Sequence, residues 1–212
     1  MNRATAGGKF NMREANSRGK LNRTALLSIF TALIAVLTVL GNFVRFGPFP
    51  ITLALAPIII GAAMCGPGAG AYLGGVFGLV VLLTGIAGWD GGTVMLLMSQ
   101  NAFACILVCI GKGILAGWVS GLVYRALEKK NIHAAVITAG IVCPLVNTGV
   151  FILGMALFFM STLESWAGGQ AVIYYVIAGL TGVNFLVELA VNVILSSGIT
   201  TIIRYGRGRK RK

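Results

Sequence analysis

Hydrophobic runs dominate this chain, and polar positions interrupt them at intervals of one membrane thickness. A hydrocarbon core of about 30 Å takes about 20 apolar residues per helix. Residues 24–44 form the first such run, which ends at the Arg45 to Pro50 segment with its two prolines. The second covers residues 51–65, is short and contains Pro57. A tight turn is expected over residues 66–70, and a third helix from there to residue 86. Gly88, Trp89, Asp90, Gly91 and Gly92 read as a loop. The fourth helix starts between Thr93 and Ala104 and ends near Leu127, the fifth covers residues 134–160, and the sixth residues 171–203. The pattern predicts an all-α, polytopic membrane protein with six transmembrane helices. A basic tail of residues 1–23, a membrane domain of residues 24–203 and a basic tail of residues 204–212 make up the chain.

Composition supports lipid as the solvent. Hydrophobic residues are 57% and charged residues 10% of the 212, with a mean hydropathy of +0.91. A soluble domain carries roughly 25% charge to cover its surface. The net charge of +12 is a matter of position. Arg3, Lys9, Arg13, Arg18, Lys20 and Arg23 precede the first run, and Arg204, Arg207, Arg209, Lys210, Arg211 and Lys212 close the chain. Arg125, Lys129 and Lys130 share one short connection. Basic clusters flanking apolar spans stay on the cytoplasmic side and meet anionic lipid. Six crossings then put both termini in the cytoplasm of a cell-membrane protein, and no nucleic-acid partner is expected.

Polar groups inside a bilayer are costly, so their depth carries information. At 1.5 Å per residue, Lys112 lies about 20 Å from Arg125 and Asn147 about 21 Å from His133. Glu188 and Asn192 lie about 24 and 18 Å from Arg204. All four fall in the outer half of the membrane, the arrangement of a small-molecule pocket between helices. Asn184, Glu188 and Asn192 follow each other at i, i+4 and i+8 and share a helix face. They either hold a polar ligand beside a Lys112–Glu188 pair or staple helices together. Asn147 and Thr148 either bind ligand or satisfy carbonyls freed by Pro144. Arg45 and Trp89 fall at the outer rim, where Arg45 offers a cation to a ligand carboxylate and Trp89 an interface anchor. Gln100 and Asn101 either line the mouth of the site or begin the fourth helix.

Gly70, Gly74 and Gly78 repeat every four residues, as do Gly113, Gly117 and Gly121, and such small-residue ladders predict close helix packing. A smooth strip on the first helix holds Ser28 and Ala32, with Thr31 and Ala35 beside them. Cys65, Cys105, Cys109 and Cys143 all sit in apolar stretches and read as buried hydrophobes. With one His and five acids, no hydrolytic, nucleotide-binding or metal motif forms. No enzymatic activity, cofactor or metal is expected.

Three stretches carry a resemblance to a known family. Residues 51–75, ITLALAPIIIGAAMCGPGAGAYLGG, are similar to the second and third helices of the substrate-binding S components of energy-coupling-factor (ECF) vitamin transporters. Residues 112–125, from Lys112 to Arg125, resemble the fourth helix of that family, and residues 184–189 its sixth. The resemblance spans residues 24–203. It implies a subunit that binds a micronutrient from outside and associates with a membrane scaffold subunit and two ATPases. The family's scaffold contact, paired alanines four apart on the first helix, falls here on Ser28 and Ala32. Family members for riboflavin, pantothenate, folate and cobalamin share these features, so the resemblance leaves pantothenate or riboflavin open, while outer Arg45 and a polar sixth helix lean toward a small anionic vitamin such as pantothenate. Readings from other classes are a membrane-embedded enzyme acting on lipid or prenyl groups, which requires a carboxylate or histidine cluster near the inner face, and a structural membrane partner that binds no small molecule.

Overall fold

A computed structural model describes residues 4–43, 52–176, 178 and 183–208. Side chains are described from Arg23 onward and, in the last helix, at positions 185–192, 194, 195, 198, 200 and 201. The described residues form helices and turns: α1 (Ala4–Gly41), α2 (Leu55–Cys65), α3 (Pro67–Ile86), α4 (Thr93–Leu127), α5 (Ile132–Phe158), α6 (Met160–Ala167), α7 (Val172–Tyr174) and α8 (Val183–Gly208). Among the described residues, four segments are long and apolar enough to cross a membrane: Arg23–Gly41 of α1, and α3, α4 and α5 entire.

The second hydrophobic run departs from a simple span. Helix α2 has 11 residues, and nine of them, Leu55 to Ala63, are buried. Eleven residues rise only about 16 Å, short of a 30 Å core. Flanked by α1, α3, α4, α5 and α8, α2 is a central pillar, which explains an apolar surface all round. Pro57 lies in its first turn, where no intrahelical partner is lost. The turn expected over residues 66–70 shrinks to Gly66 alone, at φ +94°, and Pro67 opens α3. A missing N–H costs nothing at a first helical position.

Both glycine ladders interlock. A Cβ at Gly70 would meet the Gly117 carbonyl carbon at 2.9 Å, one at Gly74 that of Gly113 at 2.6 Å, and one at Gly78 the Cys109 carbonyl oxygen at 2.5 Å. Seen from α4, Gly113 faces Gly74, Gly117 faces Gly70, and Gly121 faces Pro67. Backbone therefore packs directly on backbone along α3 and α4, as small residues permit in membranes.

Two expected helices are built differently. Helix α4 begins at Thr93 but breaks at Asn101, whose φ of −154° and ψ of 94° are extended. The Asn101 side-chain oxygen accepts the Ala104 N–H at 3.0 Å, so this residue caps the long lower part of α4. Helix α5 stops at Phe158, just short of the expected end of the fifth run at residue 160, and a separate short helix α6 follows. Of the sixth run, α7 and α8 are seen, with part of the stretch between them outside the described residues. Residues 4–23, expected as a tail, continue α1 as helix.

Candidate functional site

A cavity of about 130 Å³ opens among α1, α3, α4, α5 and α8. Its apolar walls include Phe77 and Val81 of α3, Val94, Leu97 and Val108 of α4, Phe151 of α5 and Phe185 of α8. Polar groups converge from every side: Thr38 and Asn42 at the end of α1, Thr52, Asp90, Thr93, Lys112, Asn147, Thr148 and Glu188. Apolar walls with a few aimed polar groups are the composition of a small-molecule site.

Lys112, Asn147, Thr148 and Glu188, on three different helices, meet around this cavity. Depth measured from the basic flank placed them in one layer because helical rise is uniform. Glu188 is joined among the described residues to Thr52, whose N–H donates to Oε1 at 2.9 Å, rather than to Lys112. The Lys112 ammonium lies 5.0 Å from the centre of the Phe151 ring, a cation–π separation.

Asn147 is the most telling group. It is 5% exposed and lines the cavity, and its side-chain oxygen Oδ1 has no hydrogen-bond partner among the described residues. Leaving a buried polar atom unsatisfied costs about 1–3 kcal/mol. A donor entering the cavity removes that cost.

One residue of the expected polar face lies outside the cavity. Asn192, 2% exposed, sits against Gly140 of α5, its Cβ 3.8 Å from where a Cβ of Gly140 would be. It is one turn below Glu188 and outside the cavity lining, at a helix contact. The side chain of Asn184 and all of Arg45 lie outside the described residues.

Several lining residues escaped the sequence reading. Thr38 and Asn42 are four apart in an apolar run, a signal of the same kind as the α8 triad. Asp90 read as loop, yet its carboxylate accepts the Gly92 N–H at 3.0 Å and the Val94 N–H at 2.8 Å. It thereby holds the start of α4 over the cavity. Cys105 and Cys109 line the wall as well as filling it.

The remaining candidates take peripheral places. Trp89 is half-exposed and packs against Phe43, ring centres 6.4 Å apart. Thr162 of α6 donates to the Gln100 side-chain oxygen at 2.7 Å, tying the upper piece of α4 to α6. Ser28 and Ala32 lie on an exposed face of α1 together with Ile29 and Leu33. Among the described residues, no group of three or more His, Cys, Asp or Glu is placed to hold a metal ion.

Comparisons with known proteins agree with this architecture. A sequence model described as "ECF transporter, substrate-specific component" matches residues 22–200. The pantothenic acid transporter PanT of Lactococcus lactis subsp. cremoris (strain MG1363) is 27% identical over 207 residues, covering 90% of this chain and 97% of its own. A solved structure of ThiT from Listeria monocytogenes has the same fold, with a TM-score of 0.61 at 18% identity over 86% of this chain and 96% of that one.

Proposed function

Because the chain belongs to the family of ECF transporter substrate-specific components, we propose that it binds pantothenate from outside the cell for uptake by an ECF transporter. Family membership makes it a membrane transport subunit, and the finer assignment rests on the cavity. Its carrying observation is the unpartnered Asn147 oxygen, buried in a cavity that also presents the Lys112 ammonium. Pantothenate offers a carboxylate for Lys112, hydroxyl and amide donors for Asn147 Oδ1, and a branched apolar middle for the Phe77, Val81 and Phe151 walls. Asp90 and Glu188, each already accepting a backbone N–H, have lone pairs left for ligand hydroxyls. Lys112 takes the role that the sequence reading gave to Arg45. The name of the Lactococcus relative supports the same ligand.

In this reading α2 and α8 complete six crossings and both termini face the cytoplasm. Transport requires a scaffold subunit and two ATPases, as the family implies. Ser28 and Ala32, small residues on an exposed face of α1, form the coupling surface. Ser28→Trp and Ala32→Trp each block close helix approach and should cut uptake by at least about tenfold while ligand affinity stays within about twofold. The check pairs radiolabelled pantothenate uptake, in cells supplying the energising subunits, with binding to each purified variant. Normal uptake at matched expression removes the strip from the coupling surface, and lost binding assigns it to internal packing.

A further inference from the structure

We propose that Cys105 and Cys109 form a two-sulfur site in the cavity wall for a thiophilic centre, an organic trivalent arsenical being the simplest such ligand. Both residues are on the cavity face of α4, 1% and 4% exposed, and both line the cavity. The Cys105 thiol lies over the preceding piece of α4, donating to the Val94 carbonyl at 3.9 Å. Residues four apart on a helix hold their Cβ atoms about 5–6 Å apart. A disulfide needs about 3.5–4.5 Å, so the helix resists direct closure, whereas one bridging atom can take both sulfurs. Metals that demand three or four protein ligands find no such cluster among the described residues, and a centre satisfied by two sulfurs remains.

The surroundings suit an arsenical with an aromatic substituent. Phe77, Val108 and Phe151 line the same cavity and give a phenyl ring an apolar berth. The reaction of phenylarsine oxide with the pair is balanced and involves no oxidant. Two arsenic–sulfur bonds form, and the arsenic–oxygen bond is lost as one water carrying both thiol protons. Arsenic stays trivalent. Cys143 is also buried, but in the core with α2 and Ala139, outside the cavity lining.

The test uses the purified full chain in detergent, reduced and then treated with phenylarsine oxide, and reads intact mass. A single adduct, heavier by the reagent less one water, should survive washing with a monothiol and leave on treatment with 2,3-dimercaptopropanol. Cys105→Ala and Cys109→Ala should each abolish the monothiol-resistant adduct, while the Cys65→Ala, Cys143→Ala double variant retains it. Peptide mapping of the wild-type protein gives a check independent of how variants fold: the arsenical should shield Cys105 and Cys109 together from maleimide and leave Cys65 and Cys143 labelling unchanged. A resistant adduct persisting in either single variant, shielding of only one of the pair, or no resistant adduct on the wild type overturns the site. None of these readouts depends on the identity of the vitamin.

Discussion

Gly74→Val should prise α3 away from α4 and lower the unfolding free energy by about 3 kcal/mol or more, the upper end of the range for overpacked cores. A Cβ at this position already meets the Gly113 carbonyl carbon at 2.6 Å and its oxygen more closely still. Backbone atoms cannot rotate aside as a side chain would, so the whole helix must shift. Neighbouring contacts leave nowhere to go, because Gly70 and Gly78 face Gly117 and Cys109 on the same seam. Ligand binding should fall too, since α3 contributes Phe77 and Val81 to the cavity and α4 contributes Lys112. Gly111→Ala is the matched control on α4: a Cβ there meets nothing within 4 Å, and the helix gains about 0.5–1 kcal/mol of propensity. Denaturant or thermal unfolding in detergent distinguishes them. Equal midpoints for Gly74→Val and wild type would show that the two ladders are not in contact.

Lys112→Met should weaken pantothenate binding by roughly 30- to 4,000-fold, the equivalent of about 2–5 kcal/mol for losing one partner of a buried charged pair. Methionine keeps much of the length and lacks the charge. Its effect should depend on the ligand: the alcohol analogue of pantothenate, with its carboxylate reduced, should bind wild type and variant about equally. That comparison separates a carboxylate-binding lysine from a structural one. If both ligands lose affinity alike and the apo protein melts earlier, Lys112 serves the fold. Titrating both ligands into both proteins by calorimetry provides the four affinities.

Level along a helix is legible, because apolar runs fix where a helix starts and rise fixes how far it has gone. Lys112, Asn147 and Glu188, expected at one level, line one cavity. Azimuth was harder. Asn192 shares a face with Glu188 on a helical wheel, but one turn lower that face meets Gly140 of α5. The i, i+4 pattern reports a face, and only the neighbouring helix decides whether the face is lined by space or by backbone. Partnering was similarly hidden: a Glu and a Lys in one layer suggested a pair, yet the Thr52 N–H reached the carboxylate.

Spans were read well where the ends are punctuated. Asp90 and the glycines around it mark the turn between α3 and α4, and Asn131 accepts the His133 N–H at 2.9 Å as the cap of α5. The polar run Ser99, Gln100 and Asn101 marks the break in α4, one of the two readings open for Gln100 and Asn101, whereas α5 ends at Phe158 with no polar residue to announce it. The second run is short for a span, and α2 has 11 residues. Its brevity is that of an element enclosed by other helices, which need not match the bilayer.

The central claim, that this cavity is a pantothenate site, is tested most directly by titrating pantothenate and riboflavin separately into the purified wild-type protein and measuring heat. The account predicts saturable binding of pantothenate at one site per chain and no binding of riboflavin. Saturable riboflavin binding, or no response to pantothenate from a protein that melts cooperatively, would contradict it.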